Sequence, residues 1–210
     1  MSTRKEQSDS TKAAIMEAGR KLLAQCDVKR ISISDIMKQC NLSNGLFYHY
    51  FDSKDAFITE LISDEWPEKA QSLYDESLQP LERLRKYCLL CLPDMDPESF
   101  QCHRNVSMFK LTDAYIRERE SRYADDYMFK HIMHYFEGCI SKGVFSADVP
   151  AEFVSRLLSY VSHGISFHIA LYKRQPDAQM VLSWYNQFFD SLEETKLRPY
   201  LLQNPVSSGS

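Results

Sequence analysis

The chain has 210 residues, 44% of them hydrophobic, which is enough to bury a sizeable core in one large domain or two small ones. No apolar run reaches the length that spans a bilayer, and the polar start Met1–Ser10 is no secretory leader, so six cysteines predict free thiols in a reduced cytoplasm. The net charge of −4 is unevenly spread: residues 1–54 hold nine Lys/Arg and six Asp/Glu, a balance of +3, and the remainder carries −7.

Residues 1–9 are polar. The first helix is predicted over Ser10–Gln25, with Ile15, Ala18, Leu22 and Leu23 as its apolar stripe. Ser32 is placed to cap a second helix whose third position, Asp35, completes a short-acid capping box. Ile33, Ile36 and Met37 supply that helix's buried side. Asn41 tolerates the left-handed backbone of a tight turn, Leu42 plugs the corner, and Ser43 is predicted to cap the next helix. Two short helices joined by such a turn make a helix-turn-helix over about 32–50, whose second helix enters a DNA major groove.

That second helix has two incompatible faces. Phe47, Tyr50 and Phe51 fall at i, i+3 and i+4 and point one way, while Asn44, Gly45, Tyr48 and His49 point the other. The Asn44 amide suits adenine, Gly45 permits close backbone approach, and the hydroxyls of Ser34 and Ser43 are candidates for further contacts.

Asp52 or Ser53 is predicted to cap a fourth helix from Lys54, carrying Phe57, Ile58, Leu61 and Ile62, until Pro67 interrupts it. Pro80 suits the first turn of a helix to Leu92, ended by Pro93. Helices follow over about 98–112, 115–142 with Gly143 as its stop, Pro150–Lys173, and Asp177–Lys196. The segment Pro199–Ser210 reads as a disordered tail. No convincing strand emerges. The fold class is all-α: a three-helix head followed by a larger helical bundle.

The run Leu42-Ser43-Asn44-Gly45-Leu46-Phe47-Tyr48-His49-Tyr50-Phe51, then Ser53-Lys54-Asp55 and Phe57, resembles the DNA-binding signature of TetR/AcrR-type regulators. The resemblance is strong over about residues 11–62. It departs from the usual pattern at Met37, where a small residue is common, and at Asn41, where glycine is common. It implies a DNA-binding domain over 1–52, an effector-binding and dimerisation domain over 53–198, and a DNA contact set of Ser34, Ser43, Asn44, Gly45, Leu46, Tyr48, His49 and Lys54. In that set Tyr48 and Lys54 are implied to touch phosphates, and His49 to lie against bases or sugar.

It further implies a ligand cavity in the body, with Met108, Phe109, Tyr127, His131, Tyr135, His163 and Phe167 as candidate lining for a small, apolar or aromatic effector. The last two helices carry more apolar surface than one pocket wall needs, so Leu157, Val161, Leu182, Trp184, Tyr185 and Phe188 are assigned to a homodimer seam. The partners expected are double-stranded DNA with a palindromic operator, a small effector and a second copy, with no membrane, cofactor or metal.

Cys88-x2-Cys91 with Cys102-His103 offers four zinc ligands, but the mid-helix spacing favours buried thiols. The function expected is a ligand-responsive transcriptional repressor. An architectural DNA-binding protein of the same fold is the alternative. A small all-α enzyme has less support, since no phosphate loop, nucleophile elbow or zinc-protease motif is present.

Overall fold

The computed structural model describes residues 4–63, 66–93, 96–112, 127–171 and 177–202. The helices in chain order are α1 (Arg4–Gln25), α2 (Ile33–Gln39), α3 (Asn44–Tyr50), α4 (Lys54–Ser63), α5 (Trp66–Ala70), α6 (Pro80–Leu90), α7 (Pro97–Phe109), α8 (Tyr127–Ser141), α9 (Ala151–Leu171) and α10 (Ala178–Leu192). Among the described residues there is no strand, only an isolated antiparallel bridge between Phe145 and Leu201. No described helix is long and apolar enough to cross a membrane. Residues 115–126 of the helix expected over 115–142, residues 172–173 of that expected over Pro150–Lys173, and residues 203–210 of the expected tail lie outside the described residues.

The chain folds as two compact units. One comprises Met1–Glu65, Asp94–Ala124 and Ile169–Gln175; the other comprises Trp66–Pro93, Asp125–His168 and Pro176–Ser210. α4 and α7 both belong to the head unit, because Phe57, Ile58 and Leu61 of α4 and Phe109 of α7 are buried in the same apolar cluster as Ile15, Leu23, Ile36 and Phe47. Three phenylalanines form its centre, with ring centroids 5.5 Å apart for Phe47–Phe57 and 4.8 Å for Phe51–Phe57. Gly19 lets α1 lie directly on this cluster: a Cβ there would sit 2.4 Å from the Phe57 ring.

Local signals govern the ends of the helices. The Ser32 hydroxyl accepts from the Asp35 amide at 3.1 Å, and Asp35 accepts from the Ser32 amide at 2.9 Å, closing the capping box. The Ser32 side chain and backbone amide hold the Asp35 carboxyl below the usual carboxylate range. Asn41 has φ 55°, with Leu42 N–H donating to Met37 O at 2.9 Å and Asn41 N–H to Lys38 O at 3.2 Å, the paired bonds of a Schellman ending. Gly143 (φ 68°) repeats the device at the end of α8 through Val144 N–H to Cys139 O and Gly143 N–H to Ile140 O. Ser53 caps α4 by accepting from the Ala56 amide at 3.0 Å.

The body unit is built around Leu84, Tyr87, Ile132, Phe136, Phe145, Val154, Leu158, Tyr185 and Phe189, all fully buried. The expected helical run to about Lys196 is completed by a π turn at Glu193–Leu197 that follows α10 directly. The buried Glu193 carboxylate there binds Arg85 at 3.1 Å and Arg198 at 2.6 Å. Nor does the chain come free at Pro199. Tyr200 O accepts from Ser146 N–H at 2.8 Å and Leu202 N–H donates to Val144 O at 3.0 Å, so residues 199–202 are tied to the turn after α8.

Candidate nucleic-acid interface

α3 separates its two faces as the spacing requires. Phe47 is wholly buried and Phe51 nearly so, whereas Tyr48 is 61% exposed. Asn44, Gly45 and His49 are exposed on the same side as Tyr48. The Tyr48 ring stands edge-on against Phe47, centroids 5.6 Å apart, so the buried ring steers the outward one. Leu46 and Tyr50 are half-buried and pack against the head core. Ser34 is exposed. Ser43 occupies the N-cap position of α3, but its side chain makes no cap hydrogen bond, which corrects the capping role expected of it.

Gly45 has no internal reason to be glycine. A Cβ built there meets nothing within 4 Å, and Gly45 is not among the positive-φ residues. Glycine in a helix costs up to about 1 kcal/mol relative to alanine. The contrast with Gly19, which the protein's own packing demands, is direct.

Lys54 is anchored rather than extended. Its Nζ donates to Val28 O at 3.1 Å and to Ile31 O at 3.0 Å, so the ammonium holds the corner between α1 and α2. A lysine has three donors, which leaves one for a phosphate.

The effector candidates divide between the units. In the head unit, Met108 is exposed and Phe109 is buried in the apolar core. In the body, Tyr127 and His131 lie with ring centroids 6.4 Å apart, and the Tyr87 hydroxyl hydrogen-bonds His131 Nδ1 at 3.0 Å. Burial pushes the His131 pKa down, with the nearby His134 adding to the effect. Tyr135 is buried and donates to Pro80 O at 2.7 Å. His163 pairs with Ser159 of its own helix at 3.2 Å, and Phe167 is half-buried.

Tyr87, Ser162 and Tyr185 were not singled out as polar interior groups. Ser162 Oγ and Tyr185 Oη lie 3.4 Å apart in the body core, and burial pushes both the Tyr185 hydroxyl and the Cys88 thiol up. The available signal was a tyrosine in line with Leu84 and Cys88 on α6, since a buried tyrosine hydroxyl needs a partner. None of the six cysteines is in a disulfide.

Of the seam residues, Trp184 is 57% and Leu182 43% exposed, while Leu157, Val161 and Phe188 are half-buried against the body core. Tyr185 is fully buried in its own core and is removed from that face. Phe153 and Tyr160 of α9 add exposed aromatic surface.

Residues 15–61 match the family model described as "Bacterial regulatory proteins, tetR family". The repressor DhaR of a Mycobacterium species is 23% identical over 150 residues, covering 69% of this chain and 73% of DhaR. The structure of Salmonella enterica GusR is similar at TM-score 0.64 and 19% identity, covering 92% of this chain and 97% of that one. A TetR-family regulator from Pectobacterium atrosepticum is similar at TM-score 0.60 and 21% identity, covering 96% and 99%. The helix-turn-helix head over residues 15–61 is thus a DNA-binding domain of the tetR type, and the chain as a whole has the all-helical fold of the TetR-family regulators it resembles.

Proposed function

We propose that the protein is a homodimeric repressor that binds a palindromic operator through α3 and leaves it when the body takes up a small apolar or aromatic effector. The observation that carries the reading is the division of α3: two phenylalanines seat it, and Asn44, Gly45, Tyr48 and His49 face outward with the side chains a groove requires. Repression follows the function of DhaR. Two heads held by one dimer match two half-sites separated by a helical turn or a multiple of it.

In this reading Ser34, Ser43 and Lys54 position the protein on phosphates, Asn44 reads a base edge, and Gly45 lets the backbone come close. Tyr127, His131, Tyr135, His163 and Phe167 surround the effector. An effector that prefers the released arrangement by about 1.4 kcal/mol lowers operator affinity tenfold.

Tyr48→Ala is expected to weaken binding to every duplex sequence alike and to flatten the salt dependence by about one phosphate equivalent. Fluorescence anisotropy titrations across a salt series measure both quantities, and an unchanged affinity and slope remove Tyr48 from the interface. Gly45→Ala is expected to raise the melting temperature slightly, through a gain of up to about 1 kcal/mol, while weakening DNA binding. A variant that is more stable and binds as well as the parent contradicts the close-approach role.

A further inference from the structure

Asn105 of α7 is buried, and its amide nitrogen donates to Leu23 O at 2.7 Å and to Cys26 O at 2.9 Å. Its oxygen accepts from Gln101 at 3.0 Å. Leu23 lies in the last turn of α1 and Cys26 directly follows it, at the helix end whose carbonyls lack partners within the helix. A side chain about 80 residues away in sequence therefore caps α1. The next carbonyls along the chain, Val28 O and Ile31 O, are held by Lys54. The corner from Leu23 to Ile31 is thus gripped by two side chains, one from α7 and one from the residue that opens α4, four places beyond the end of the recognition helix.

We propose that Asn105 is a positioning residue for DNA binding. Its clamp on the end of α1 fixes the corner on which Lys54, and through it the junction of α3 and α4, is set. α7 thereby influences DNA affinity without touching DNA. The proposal rests on the DNA-binding reading of α3.

The test uses the full-length protein and a duplex selected by it from a random pool. Asn105→Ala is expected to lower affinity about tenfold, the scale of two lost hydrogen bonds, and Asn105→Ser, which keeps one donor, to lie between it and the parent. Because both residues act on one corner, the Asn105→Ala/Lys54→Ala double variant is expected to lose less than the product of the single losses. Leu158→Ala, which destabilises the body core, is expected to bind as the parent does when each protein is assayed well below its own melting temperature.

Unchanged affinity in Asn105→Ala, losses that multiply, or an equal loss in Leu158→Ala overturns the proposal while leaving the DNA-binding reading intact. A parent chain that enriches no duplex overturns both. Should Asn105→Ala fail to fold, Asn105→Ser decides by the same comparison.

Discussion

Trp184→Asp is expected to turn the proposed dimer into monomers and to weaken operator binding by about 10²–10⁴-fold, the usual gain from linking two binding modules. Trp184 is 57% exposed, and Met180, one turn before it on α10, is 41% exposed. A tryptophan left this open on an amphipathic helix suits the centre of an interface. A carboxylate placed there must be desolvated without a partner when two copies meet. The neighbouring Tyr185 and Phe189 point inward and are fully buried, so the monomer's fold is expected to survive. Sedimentation velocity reads the oligomeric state and anisotropy the affinity. A variant that remains dimeric and binds as before contradicts the assignment of this face.

Phe57→Ala is expected to destabilise the head unit by about 3–5 kcal/mol, the usual cost of deleting a buried aromatic side chain. The ring is wholly buried, contacts Phe47 and Phe51, and lies so close to α1 that Gly19 has no room for a Cβ. A cavity there removes the support under α3, so DNA binding is expected to fall with stability. Because the chain has two units, unfolding need not be a single transition. Calorimetry is expected to show the head melting earlier while the body transition stays in place. A melting profile within a degree of the parent's contradicts the central role given to this ring.

The parts of the fold legible in sequence were those set by neighbours along the chain. The Ser32–Asp35 box, the left-handed Asn41, the Gly143 stop and the opposed faces of α3 each follow from residues within seven positions of one another. What stayed hidden depends on partners far apart in sequence. Nothing local to Phe109 or Asn105 says that α7 joins the head, because the Asn105 partners lie about 80 residues earlier and Phe109 joins a cluster of residues from Ile15 to Leu61. The sequence offers Lys54 only as a phosphate contact at a helix start, and only folding supplies the Val28 and Ile31 carbonyls. Trp184 and Tyr185 are adjacent on a helix with a broad apolar arc, so periodicity alone could not decide which faced the core. The tie of Tyr200 and Leu202 to residues 144–146 was equally invisible to a reading of the tail's composition.

The most direct test of the account is whether the outer face of α3 meets DNA. A benzophenone photo-crosslinker installed at position 49, beside Tyr48, is expected to form a covalent adduct with the selected duplex. The same group at position 160, on the outer face of α9, is expected to form none. Strong duplex binding with no adduct at position 49 would contradict the claim that this face reads DNA.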